Sequence, residues 1–163
     1  MDIRKIFEYA LQREYEGKRF FEENASRLSH AAAASAFLEL AAEEQKHIEF
    51  IQNQIAALDK GELDSGALAK ELQGEGFYSQ RAHSELFEQT VLEAICPDLS
   101  VLRLAYLIEA DFAAFYKKSA KQATGDTKKA LNMLAKWESG HEALFKNLHD
   151  RAYEVYNQMP WGG

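Results

Sequence analysis

The sequence of 163 residues contains a single cysteine, Cys96. An intramolecular disulfide, a CxxC redox pair and a thiolate metal cluster are therefore excluded, and any bound metal must be held by oxygen and imidazole. Proline is nearly absent, with two in the chain, whereas Ala, Leu, Glu, Lys and Gln are abundant. That mixture favours helix and disfavours a β-sandwich or barrel. No apolar run reaches the roughly 18 residues that would span a membrane, so no transmembrane helix is expected. The first residues interleave Asp2, Arg4, Lys5 and Glu8 with apolar side chains, which is not the pattern of a signal peptide, and a cytoplasmic location is expected. A basic excess is also missing. Nineteen Lys and Arg stand against 26 Asp and Glu, a formal charge of −7. This is the wrong sign for a nucleic-acid or anionic-membrane binder.

What is present is helical periodicity. Ile3, Ile6, Phe7, Ala10, Leu11, Glu14, Gly17, Phe20, Phe21 and Ala25 recur at spacings of three and four and predict a first long helix over 2–28. Gly17 weakens that helix by about 1 kcal/mol relative to Ala, which suggests a close helix approach there. Ser29 is the expected N-cap of a second helix that reaches residue 59, with Gly61 as its stop. Asp98 follows Cys96-Pro97 and is the expected cap of a third helix that ends near Thr124-Gly125. Asp126 is the expected cap of a fourth helix running to Gln158. Between them, Gly61, Gly66, Gly74 and Gly76 break up the chain, and shorter helices are expected over 65–72 and 79–95. The expectation is one domain over 1–163: a helical hairpin over 2–60, a partly helical crossover over 61–97 and a second hairpin over 98–159.

The two hairpins repeat each other. Ala10-x3-Glu14-x5-Phe20-Phe21-x3-Ala25 returns as Ala105-x3-Glu109-x5-Phe115-Tyr116-x3-Ala120. Leu40-Ala41-x2-Glu44-x2-His47 returns as Leu134-Ala135-x2-Glu138-x2-His141. Glu14 lies about as far before its turn as Glu44 lies after it, so the two stand level in an antiparallel hairpin at a rise of about 1.5 Å per residue. Glu109 and Glu138 are level by the same argument. Glu and His three apart share one helix face. Two such hairpins set face to face bring four carboxylates and two imidazoles together in mid-bundle.

That donor set suits two first-row divalent ions. One carboxylate per hairpin can bridge the ions while the others bind terminally, and four carboxylates neutralise two dications. A Glu-x-x-His match alone is a weak signal in a chain with this much glutamate. Its weight comes from the matched upstream Glu14 and Glu109, each inside the same Ala/Glu/Phe frame.

On these residues the chain resembles the rubrerythrin-like branch of the ferritin-like superfamily. The resemblance implies an all-α, ferritin-like four-helix bundle, with a long crossover between the second and third helices. It implies a non-haem di-iron centre held by Glu14, Glu44, His47, Glu109, Glu138 and His141, with manganese or zinc as other metals that such a site accepts. The implied activity is that of an oxidoreductase that reduces peroxide or oxidises Fe(II) with peroxide or dioxygen. Two further readings stay open: an iron-binding or ferroxidase carrier without sustained turnover, and a structural bundle holding zinc or manganese. A homodimer fits the family.

The sequence departs from the family pattern in three respects. Full rubrerythrins carry a rubredoxin module with two CxxC motifs, so electrons here are expected from a separate, rubredoxin-like protein. Rubrerythrins place a further Glu one turn after the third-helix ligand, where this chain has Phe112, which cannot ligate a metal. The tyrosine seven residues after the ligand Glu occurs once, as Tyr116; its counterpart is Phe21. Tyr116 is therefore the candidate for a phenol touching a ligand carboxylate.

Other residues have plainer readings. Glu43 and Trp137 precede the two Glu-x-x-His motifs, and Glu43 is expected to be solvated or salt-bridged. His30 is expected in solvent at the first turn, and His83 and His149 lie away from the motifs. Cys96 is read as structural, and Glu16, Glu22 and Glu23 as a solvated face. The aromatic tail, Tyr153, Tyr156, Met159 and Trp161, is expected to pack on the bundle end.

Overall fold

The computed structural model describes residues 2–61 and 89–160. The expected helix over 65–72, the start of the one over 79–95, His83 and Trp161 lie outside these residues. Among the described residues every element is helical: α1 (Ile3–Ala25), α2 (Ala31–Lys60), α3 (Gln89–Ala94), a 3-10 turn (Cys96–Asp98), α4 (Leu99–Gln122) and α5 (Gly125–Gln158). This is the all-α, ferritin-like bundle that the sequence predicts. α1 and α2 form one antiparallel hairpin, and α4 and α5 form the other. No helix among the described residues is long and apolar enough to cross a membrane.

Helix ends follow local chemistry, with four corrections. α1 stops at Ala25, short of residue 28, where the Asn24 side chain bonds back to the Phe20 carbonyl at 2.8 Å. Ser29 does not cap α2. His30 does, its Nδ1 accepting from the Ala32 amide at 3.1 Å, so His30 is not simply solvated. Ser29 instead donates its amide and hydroxyl to Asp98 at 2.7 and 3.1 Å. A charged acceptor makes the stronger bond, and it draws both partners away from capping. Asp98 accordingly sits at the N-cap position of α4 without a side-chain cap bond. Asp126 is also not a cap. α5 already begins at Gly125, whose φ of 57° turns the chain, and the Asp126 carboxylate pairs with Lys129 at 2.8 Å. Gly61 closes α2 as expected, in the left-handed conformation at φ 70°.

The apolar core is in two parts. Near the α1–α2 turn, Phe21, Phe37 and Phe145 pack ring against ring with centroids 5.2–5.8 Å apart, joined by Leu40, Ile95 and Leu102. Near the α4–α5 turn, Phe7, Phe50, Ile51, Phe112, Leu131 and Leu134 form the second part. Cys96 is buried, its Sγ 3.3 Å from the Leu92 carbonyl oxygen, which fits a structural thiol. At the far end α5 runs on to Gln158 and Tyr153 stays half exposed, so that part of the expected packing of the aromatic tail is absent.

Gly17 serves the close approach that its position suggests. A Cβ on it would stand 3.0 Å from Cε2 of Phe112 on α4. Gly17 and Phe112 occupy matching places in the repeat, three residues after Glu14 and Glu109. The missing side chain on one helix is filled by the ring on the other. Gly17→Val is expected to destabilise the protein by about 1–3 kcal/mol through overpacking, measured as a lower midpoint in thermal or urea unfolding.

Candidate metal centre

Between the two apolar clusters lies a charged layer. Glu14 on α1, Glu44 and His47 on α2, Glu109 on α4, and Glu138 and His141 on α5 are all buried, the most exposed at 3%. Each side chain arrives there because it stands in the inward stripe of its helix. Isolated charges are not tolerated in such a place, so the six must satisfy one another or a ligand.

They form two groups. Glu14, Glu44, His47 and Glu138 bring one ligand atom each within 4.8 Å of one another, and so do Glu44, Glu109, Glu138 and His141. Glu44 and Glu138 belong to both. His47 Nδ1 lies 3.2 Å from Glu14 Oε2, 3.3 Å from Glu44 Oε2 and 2.9 Å from Glu138 Oε1. His141 Nδ1 lies 3.4 Å from Glu44 Oε1, 3.3 Å from Glu109 Oε2 and 3.5 Å from Glu138 Oε2. Glu44 and Glu138 thus turn one oxygen to each group, while Glu14 and Glu109 each serve one.

The electrostatics balance within the cluster. Burial, reinforced by the charges of Glu138 and Glu44, pushes the Glu14 carboxyl well above the usual range. Burial and the charge of Glu44 do the same to Glu109. Burial also works against ionised Glu44 and Glu138, but the His47 charge, the nearby Glu14 in the case of Glu44, and the close approach of both histidines outweigh it and hold both low. Against the cost of burial, His47 is raised by Glu138 and Glu44, and His141 by its bonds to Glu109, Glu138 and Glu44. By the protein groups alone the shifts run in opposite directions: Glu44 and Glu138 toward ionisation, Glu14, Glu109 and both histidines toward keeping a proton.

This balance leaves hydrogen-bonding capacity over. Both oxygens of Glu44, Glu109 and Glu138 are buried without a well-formed hydrogen bond. Such groups are costly, and six oxygens aimed into one layer fit divalent cations better than they fit each other. Oxygen with imidazole is a donor set for iron, manganese or zinc.

The chain belongs to the rubrerythrin family. The family model, described as rubrerythrin, matches residues 5–149 and so contains all six residues of the layer. No curated protein and no solved structure gives a match. Proteins of the rubrerythrin family bind metal, and the two Glu/His groups can hold it here.

Around the layer, Tyr116 donates its hydroxyl to Glu14 Oε1. Burial and the carboxylates of Glu14 and Glu138 raise its pKa well above the ordinary phenol value, so it stays a donor. Phe21, at the matching place, is an apolar core residue, as a rubrerythrin-family member with one tyrosine at this pair of positions would have it. Trp137 precedes the second Glu-x-x-His motif, but its stacking role was not expected. Its ring stacks on His47 with centroids 4.9 Å apart and 5° between planes, and His47 stacks in turn on His141 at 5.4 Å. The only sequence signal is that Trp137 and Glu43 differ in character at matching places. Glu43 itself pairs with Lys46 at 2.5 Å and belongs to the surface. His149 stands apart from the layer, beside Asp150 at 3.0 Å.

A metal ligand must be deprotonated, whereas Glu14, Glu109, His47 and His141 are all shifted toward keeping their protons. Divalent-ion binding is therefore expected to release protons and to weaken as pH falls. Calorimetric titrations in buffers of different ionisation enthalpy measure this; uptake without proton release would contradict the protonation pattern.

Proposed function

We propose that the chain is a non-haem di-iron oxidoreductase, with Glu14, Glu44, His47, Glu109, Glu138 and His141 holding two irons. The reaction is reduction of peroxide, or oxidation of Fe(II) by peroxide or dioxygen. The observation that carries this reading is the sharing of Glu44 and Glu138 between the two groups, because it supports a paired centre rather than two separate sites. Paired redox-active ions supply electrons two at a time and polarise an O–O bond.

The protein's part is positional. Glu44 and Glu138 keep the two positions together, and Glu14 and Glu109 close the ends. His47 and His141 each present Nδ1 toward the carboxylates. The apolar clusters on either side exclude water along the bundle axis. Tyr116 holds a proton at its hydroxyl, directed to Glu14 Oε1, and so fixes that carboxylate. A cavity of about 370 Å³ between α1 and α4 is lined by Tyr9, Arg13, Phe112, Phe115 and Tyr116. It offers a small oxidant an approach on the α1–α4 side, where Glu14 and Glu109 supply the donors among the described residues. Electrons for repeated turnover come, in this reading, from a separate rubredoxin-like protein.

Natively purified protein is expected to carry about two irons per chain, to change its absorption spectrum on reduction, and to consume peroxide when reduced. Glu44→Ala and His141→Ala are each expected to lose iron and turnover. Full iron content and turnover in either variant would overturn the reading; stoichiometric zinc with a redox-silent spectrum would favour a structural metal bundle.

Stability provides a separate check. Bound metal is expected to raise the unfolding midpoint, since it binds the folded chain alone. In Glu44→Ala that metal-dependent rise is expected to vanish, and the midpoint without metal is expected to fall as well, because His47 and His141 lose a buried partner and a cavity is left.

A further inference from the structure

The internal repeat makes the centre nearly two-fold symmetric, yet the side chains around it break that symmetry twice, both times on the same side. Glu14 is held at both oxygens, Oε1 by the Tyr116 hydroxyl and Oε2 by His47 at 3.2 Å. Its counterpart Glu109 faces His141 in the same way, Oε2 at 3.3 Å, but has no hydroxyl partner at Oε1. The residue matching Tyr116 is Phe21, packed among Phe20, Phe37 and Phe145, with no hydroxyl to offer. Trp137 lies flat on His47, and Phe50 meets the indole edge-on at 5.7 Å. The residue matching Trp137 is Glu43, turned to Lys46 at the surface.

We propose that the two metal positions are unequal, and that the Glu14–His47 position takes the first divalent ion because Tyr116 and Trp137 hold its ligands in place. The inference rests on the di-metal reading above and goes beyond it by ordering the two positions. A ligand already fixed by a hydrogen bond or a ring stack loses little further freedom on binding, and Glu109 Oε1 lacks the hydroxyl partner that Glu14 Oε1 has. Glu44 and Glu138 contribute to both positions and so cancel from the comparison. The consequence is one retained ion beside Glu14 and one more readily exchanged ion beside Glu109.

Trp137 reports the order of filling directly. The sequence has two tryptophans, so Trp161→Phe leaves Trp137 as the single indole. The probe is Mn(II), a paramagnetic quencher, titrated into this variant after metal removal. The first equivalent is expected to quench most of the Trp137 fluorescence and to give the spin resonance signal of an isolated ion. The second is expected to convert that signal to one of a coupled pair with little further quenching. Adding Tyr116→Phe is expected to weaken the first step about tenfold, the order of a hydrogen bond to a charged group, and to bring the two steps together. Trp137→Leu, checked for helix content by circular dichroism, is expected to weaken the same step. Two ions of equal affinity, quenching confined to the second equivalent, or a Tyr116→Phe effect on the second step alone would overturn the inequality and leave the di-metal reading standing. Failure to bind Mn(II) at all would overturn both.

Discussion

Four carboxylates and two imidazoles share one dry layer of this bundle, and the rest of the structure is arranged around that fact. Charges in such a place are costly unless they are paired. The cluster meets the cost internally by splitting its protons: Glu44 and Glu138 stay low, Glu14 and Glu109 go up, and both histidines are raised. With two dications the same six groups balance in another way, as four carboxylates and two neutral imidazoles.

A layer of that kind divides the core. Apolar packing cannot continue through it, so the core exists as two clusters, one toward each end of the bundle. Each must hold its end of the helices in register for the carboxylates to meet. At one end the Phe21, Phe37 and Phe145 rings lock, and Ser29 from the first hairpin bonds to Asp98 at the start of the second. Toward the other, Gly17 lets Phe112 approach α1, with the Arg13 guanidinium 5.1 Å over the same ring. Residues remote from the chemistry thus set distances inside it.

Duplication explains the symmetry of the donors, and divergence explains its limits. Glu14 with Glu109, Glu44 with Glu138 and His47 with His141 have kept their character. Gly17 with Phe112 has diverged in a complementary way, space against bulk. Tyr116 with Phe21, and Trp137 with Glu43, have diverged in character, so Glu14 and His47 have a phenol and an indole against them that the matching residues Phe21 and Glu43 do not supply. The kept pairs are the ones that could hold metal, and the individuality of this chain lies in the diverged ones.

Much of this was legible beforehand because it depends on spacing along single helices. A stripe at three and four residues makes a helix. Glu and His one turn apart share a face, and equal distances from a turn put Glu14 level with Glu44. Capping was less legible. Ser29, Asp98 and Asp126 are all good caps by type, yet each found a stronger or nearer partner: Ser29 and Asp98 in each other, Asp126 in Lys129. The stack of Trp137 on His47 and the division of the Glu44 and Glu138 oxygens between two histidines were not legible at all. The sequence by itself determined which residues face the bundle axis and at what height, since helical period and rise are properties of the local chain. Only the tertiary structure decided which oxygen meets which nitrogen and which side of the centre is braced, since those depend on how four helices rotate and pack against one another.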